Sequence, residues 1–284
     1  MFKNLNLGAL GFEASFHESV ELACLGGFEG IDLDVQEMMD LLKWKSSEEL
    51  NNLLEENGLR WGGWALPIRL SGDEENFQRE LENLPKIAEK AQELECLRAY
   101  TWIIPFSDEL TFEKNFALHA KRVKIIASIL DEYDCILGLE FIAPKTSRIG
   151  HKYEFIHDMD GMLRFCEAVG ADNVGILLDS WHWYTSHGTI DQILRLKGTD
   201  VVYVHINDAP SGIPIDEQID NVRCLPGETG VIDIIGFLKA LRKIGYEGPV
   251  TPEPFDKRLK KMSIRDAVLK VSEAISKLWH LAEL

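Results

Sequence analysis

Short apolar runs rich in β-branched and aromatic residues alternate along this chain with longer amphipathic stretches. The runs predict strands at 4–10, 30–33, 60–66, 96–103, 135–141, 174–178, 201–206 and 250–254. Several are solidly apolar rather than alternating, as in parallel strands covered on both faces. The stretches between carry helix signals. Ser15 with Glu18 and Ser46 with Glu49 are capping boxes, in which a serine oxygen and a glutamate satisfy each other's orphan amides. Gly58 is placed to end the second of these helices. A helical stretch over 73–95 contains Pro85, which kinks or divides it. Further helices are predicted over 111–133, over 159–169 ended by Gly170, and over 189–196 ended by Gly198. Asp233 caps 234–244, which Gly245 ends, and 263–281 follows. Eight strands each followed by a helix fit an α/β fold of the closed (β/α)8 TIM-barrel type better than an open doubly wound sheet. No Gly/Ser/Pro linker divides the chain, so residues 1–284 are expected to form one domain.

The later strands end alike. Glu140 closes ILGLEF, Asp179 closes VGILLD, His205 lies in VVYVHIND and Glu253 in PVTPEPF. A carboxylate at the mouth of an apolar strand is costly unless paired or bound to a cation. In a barrel these strand ends are neighbours on the rim that carries active sites, so the four side chains can converge. Three carboxylates and one imidazole make a divalent-metal shell. Such oxygen-rich ligation suits Mn²⁺ or Mg²⁺, with Co²⁺ as a further candidate and Zn²⁺ less favoured for want of a thiolate. The long connections 143–158 and 208–230 follow strands bearing these residues, a placement suited to lids or substrate-binding loops.

Composition narrows the partners. Lys and Arg number 30 against 47 Asp and Glu, a formal charge of −17. That field repels nucleic acid and anionic membrane surfaces. No segment approaches the roughly 20 apolar residues of a bilayer span, and the first residues lack a signal-peptide pattern. The five cysteines are scattered and never in CxxC spacing. A disulfide framework or zinc-thiolate site is therefore not expected, and a cytoplasmic location is.

The segments GLEF, LLDSWHWY, VHINDAP, VRCLPGETGVID and PVTPEPF together resemble the xylose isomerase-like TIM-barrel superfamily. Within it they are most similar to the sugar phosphate isomerase/epimerase group, with its inosose isomerase and ketose 3-epimerase branches. The resemblance runs from about Cys135 onward; the first half matches in strand–helix rhythm alone. It implies one Mn²⁺, Mg²⁺ or Co²⁺ held by Glu140, Asp179, His205 and Glu253. It further implies isomerisation or epimerisation of a sugar, ketose or polyol-ketone by proton transfer through a metal-stabilised enediolate, with Glu140 and Glu253 as the acid/base pair. His182 in DSWH and Arg223 before the PGE turn match positions that contact substrate in the family. For His182 the plain alternative is a bond to a neighbouring backbone carbonyl, and for Arg223 a salt bridge to Glu228 or Asp220. Dimers and tetramers are common in the resembled group, though no interface is readable in the chain.

Other candidates come from the residues themselves. Lys145 in APKTSRIG can reach substrate oxygens or stand as a solvated loop charge. Trp64, Trp102 and Trp181, at strand ends, are expected to pack against a sugar ring, whereas Trp61 and Trp183 read as core. Thr146 stands where the ketose 3-epimerase pattern has a further glutamate, which leaves the substrate open. No Gly-rich cradle supports a phosphorylated substrate. Three alternatives share the scaffold: a lyase (an inosose or dehydroshikimate-type dehydratase, or a keto-glycoside-cleaving enzyme), an abasic-site endonuclease, and a non-catalytic ligand-binding barrel. The endonuclease reading needs histidines on earlier strands, where Ala65, Tyr100 and Thr101 stand instead.

Overall fold

The expected run at 60–66 is broken in two, and the break closes the barrel. In the computed structural model, which describes residues 1–284, the strands are β1 (Phe2–Leu5), β2 (Gly30–Ile31), β3 (Arg60–Trp61), β4 (Trp64–Ala65), β5 (Arg98–Ile103), β6 (Phe106–Ser107), β7 (Ile136–Phe141), β8 (Tyr153–Glu154), β9 (Val174–Asp179), β10 (Val201–Ile206) and β11 (Pro249–Pro252). Nine of them form one parallel sheet in the order β3-β2-β1-β11-β10-β9-β7-β5-β4. Its two end strands are halves of one chain segment joined by Gly62 and Gly63. Gly62 N donates to Ile31 O on one side, while Leu66 N donates to Tyr100 O on the other, each at 2.8 Å. The sheet thus curls into the predicted TIM barrel.

Glycine is required at the break. A Cβ on Gly62 would stand 2.3 Å from Asn4 Oδ1 and 2.5 Å from Asp32 Oδ1. Gly62→Ala should therefore cost about 1–3 kcal/mol through overpacking, read as a lower urea midpoint at unchanged slope. A midpoint equal to the parent's would contradict this account of the closure.

The helices are α1 (Leu7–Leu10), α2 (Phe16–Gly26), α3 (Val35–Leu41), α4 (Ser47–Glu56), α5 (Glu74–Leu81), α6 (Leu84–Glu93), α7 (Phe112–Asp131), α8 (Met159–Val169), α9 (Ser180–Thr185), α10 (Ile190–Ile193), α11 (Ile234–Lys243) and α12 (Ile264–Ala282). Both expected capping boxes form, at Ser15/Glu18 and Ser46/Glu49. Pro85 divides 73–95, standing in the first turn of α6, where its missing amide costs nothing. The first strand stops at Leu5 rather than continuing to Leu10, because Asn6 accepts from Ala9 N and caps α1. The helix expected over 189–196 is regular only over α10. Buried apolar side chains between sheet and helices form one main core.

Inside the barrel a polar cluster replaces apolar packing. Asp32, just past β2, accepts from Asn4 Nδ2 (2.8 Å), Asn6 Nδ2 (2.8 Å) and the hydroxyls of Tyr100 (2.8 Å) and Tyr203 (2.7 and 2.8 Å). Burial raises the Asp32 carboxyl above its usual range, against the pull of the Tyr203, Tyr100 and Asn4 hydrogen bonds. At the barrel mouth the two long connections meet. Lys145 Nζ pairs with Asp216 Oδ2 at 3.0 Å, and Thr146 Oγ1 donates to Gln218 O at 2.7 Å. β6 and β8 add a two-stranded antiparallel ribbon that ties the 143–158 connection to the end of β5.

Candidate active site

Register brings the strand ends together. β9 lies between β7 and β10, and β10 pairs with β11. Glu140 is on β7, Asp179 ends β9, His205 is on β10 and Glu253 directly follows β11. One ligand atom from each lies within 4.8 Å of all the others. His205 Nδ1 stands 3.5 Å from Glu140 Oε1 and 3.6 Å from Glu253 Oε2. Below it, the rings of Tyr203 and Tyr100 meet the imidazole edge-on, with centroids 5.3 and 6.0 Å away, so the polar cluster supports it from the barrel interior.

The donor set fits a divalent cation. Glu140 Oε1 and His205 Nδ1 are buried, face each other, and have no hydrogen-bond partner. Buried polar atoms are rarely left so, and an ion between them would satisfy both. Burial pushes the Glu140 carboxyl up to about 7, against the attraction of His205. Glu253 is also raised, first by burial. Burial alone would lower His205, yet Glu253, Glu140 and Asp179 together bring it to about 9. Burial would likewise raise Asp179, but Arg223, then His182 and His205, hold it below the usual carboxylate range.

An ion bound among these residues would have to displace the protons that Glu140 and His205 hold. Apparent affinity should therefore climb with pH through about 7 and on toward about 9, by up to about tenfold per pH unit for each proton displaced. Competition against a chelator at stepped pH measures it. An affinity flat across that span would contradict the proton count.

Arg223, fully buried, occupies the centre of the charge balance. Its Nη1 donates to Asp179 Oδ2 at 2.7 Å and Glu253 Oε2 at 3.0 Å, and its Nη2 to Asp220 Oδ1 at 2.9 Å. The expected Asp220 pairing is present, whereas Glu228 pairs with Arg258. The guanidinium lies between Phe255 and Trp181, 4.6 and 5.3 Å from their ring centroids. His182 is also buried. Its Nδ1 accepts from Ala143 N at 3.2 Å rather than donating to a carbonyl. Its Nε2 lies 4.0 Å from Glu140 Oε1 and 3.3 Å from Arg223 Nη2. Burial, with help from Arg223, lowers His182 to about 4, so it is neutral at pH 7.

A family model for the xylose isomerase-like TIM barrel matches residues 8–278. The chain belongs to that family. Among curated relatives, the inosose isomerase of Bacillus velezensis is 28% identical over 148 residues, 52% of this chain and 50% of that protein. The chain thus spans about half the length of that relative. The 3-dehydroshikimate dehydratase of Pseudomonas aeruginosa is 35% identical over 85 residues, 30% of this chain and 13% of that protein. Among solved structures, a xylose isomerase domain protein from Alicyclobacillus acidocaldarius superposes with TM-score 0.87 at 29% identity, covering 99% of each chain. The IOLI protein, solved with a bound zinc atom, superposes with TM-score 0.81 at 20% identity over 98% of each chain.

Within this family frame the remaining expected contacts separate. Trp102 follows Tyr100 by two residues on β5, so it shares the barrel-facing side, and it stands 58% exposed at the mouth in register with Glu140. Trp64 does not line the site. It is fully buried in the core and donates to Cys96 O at 3.0 Å. Trp181 is fully buried as well and packs behind Arg223 rather than presenting a face to a ligand. Lys145 is exposed and engaged with Asp216 on the neighbouring loop.

Three neighbours, Asn207, Phe255 and Asp208, were not anticipated from the sequence, whereas Asp220 was. Asn207 Nδ2 donates to Asp179 Oδ1 at 3.0 Å and orients that carboxylate. Asp220 anchors Arg223. Phe255 holds φ +41°, uncommon for an aromatic residue, and thereby lies against the guanidinium. Asp208 accepts from the amides of Ala209, Thr229, Gly230 and Ile232, hanging the PGETG loop on one carboxylate. The adjacency of Asn207 and Asp208 to His205 in HIND was the one available signal.

Proposed function

We propose that this chain is a divalent-metal-dependent isomerase or epimerase of a sugar, ketose or polyol-ketone. The observation that carries it is the cluster of Glu140, Asp179, His205 and Glu253, with buried and unpartnered Glu140 and His205 atoms facing each other. The inosose isomerase among the relatives supports the same class, and the neighbour solved with a zinc atom supports an ion in the cluster. Glu140, Asp179, His205 and Glu253 would hold the ion, and Mn²⁺ is our first choice on the oxygen-rich donor set, with Zn²⁺, Mg²⁺ and Co²⁺ to be compared. When bound, the ion acts as a Lewis acid that polarises a substrate carbonyl.

The protein groups supply the rest. Glu140 and Glu253 move the proton on carbon next to the carbonyl, one as base and one as acid. Burial raises both carboxyls from their ordinary value in the ion-free site, which favours their holding a proton. His182, neutral at pH 7, borders the site, and Arg223 holds the Asp179 and Glu253 carboxylates in place. Trp102 is placed to cover the ring of a bound polyol from the mouth.

The test is exchange of the substrate α-proton in D₂O, followed by NMR over ketoses and inososes with metal-loaded protein. Deuterium incorporated without loss of water is the expected result; no exchange across the panel overturns the proposal. The dehydratase match favours a second reading, in which the same deprotonation is followed by loss of water. Water release on the same NMR time course would decide for it. We further propose that residues 1–284 form one domain and that the protein is cytoplasmic, in keeping with five unpaired cysteines.

A further inference from the structure

A cavity of about 470 Å³ opens on His205 and Glu253 and runs beneath the segments that follow β1 and β2. Part of its wall is apolar, including Phe12, Phe16 and Trp61. The rest includes Glu13, Asp34 and Glu37, and no lysine or arginine lines it. At its inner end a divalent ion and the Arg223 guanidinium would together bring three positive charges against the four carboxylates of Glu140, Asp179, Glu253 and Asp220. Arg223 has no spare capacity, since Asp220 takes its other arm. Arg258 is likewise held, by Asp256 and Glu228. Of the wall carboxylates, Asp32 accepts from Asn4, Asn6, Tyr100 and Tyr203, and Asp34 and Glu37 accept from backbone amides, but no lysine or arginine pairs with these three or with Glu13.

A carboxylate or phosphate entering this cavity meets like charge on the wall and finds no free cation to pair with. Hydroxyl groups, in contrast, can donate to the wall carboxylates, while the aromatic wall accepts the C–H face of a ring. We propose that the cavity takes an uncharged polyol and discriminates against substrates bearing a carboxylate or phosphate. This deepens the isomerase reading and rests on it for the location of the site. It also separates the two substrate chemistries among the relatives, an inosose being neutral and a dehydroshikimate anionic.

The test compares two cyclic polyols that lack a ketone and so cannot react: inositol, which is neutral, and shikimate, which is anionic. Titration calorimetry on the Mn²⁺-loaded full chain at about 0.1 M salt, where charges within roughly 10 Å still act on one another, should show inositol binding at least about tenfold more tightly. Glu13 is exposed and its side chain makes no hydrogen bond, so Glu13→Lys and Glu13→Gln can be read without disturbing a cap. The gap should narrow stepwise, by about threefold or more in Glu13→Lys and by less in Glu13→Gln. Equal or tighter binding of shikimate, binding of neither compound, or a gap unmoved by Glu13→Lys overturns the inference. Inositol binding with no α-proton exchange on inosose leaves it standing and sinks the isomerase reading instead.

Discussion

Glu253→Gln should leave the protein folded and slow α-proton exchange by about 10²–10⁴-fold, the usual worth of a positioned acid or base. The amide keeps the shape of the carboxylate and one oxygen that can still accept from Arg223, so the ion pair at 3.0 Å becomes an ordinary hydrogen bond. What is lost is the lone proton-accepting charge that burial has raised. Because Glu253 is also placed as a ligand, the assay must be run at saturating metal, with bound metal measured on the same sample. Exchange within a few-fold of the parent in a metal-replete variant would remove Glu253 from the proton-transfer pair. Loss of exchange that added metal fully restores would assign it to ligation alone.

The Glu140→Ala, His205→Ala double variant should lose the metal altogether. These two residues supply the facing buried atoms that lack any partner, and the neighbouring imidazole of His182 is already engaged by Ala143 N and faces Arg223. The remaining ligands are Asp179, already bonded to Trp181 N, Asn207 and Arg223, and Glu253, already bonded to Arg223. Two carboxylates so engaged make a poor site. Native mass spectrometry at matched protein and metal concentrations should show an ion on the parent and none on the folded variant, with circular dichroism confirming the fold. A stoichiometric ion on the variant would place the metal elsewhere.

Much of the barrel was legible because parallel strands buried on both faces read as apolar runs, and capping boxes mark where helices start. The same double burial hid the direction of each side chain. Trp64 and Trp181 stand at strand ends as Trp102 does, but no polar alternation tells a mouth-facing tryptophan from one in the core, and both proved fully buried. The break at Gly62 and Gly63 was missed because an apolar run containing two glycines still reads as one strand. Asn6 ended β1 early by a cap that competes locally with extension. Within the site, Glu140, Asp179, His205 and Glu253 were visible because charge at the end of an apolar run is conspicuous. Asp32 and Asn207 were not, since their roles depend on partners 28 positions away.

The arrangement around Arg223 bears on how the protein can be handled. A guanidinium bonded at once to Asp179, Asp220 and Glu253 acts as a resident counter-ion for carboxylates that would otherwise repel one another whenever the metal is removed. The stripped protein should accordingly survive chelation as a folded, refillable vessel. Identity of the ion then becomes a variable the experimenter sets after purification: one preparation, divided and recharged with manganese, zinc, magnesium or cobalt, suffices to rank them on equal footing.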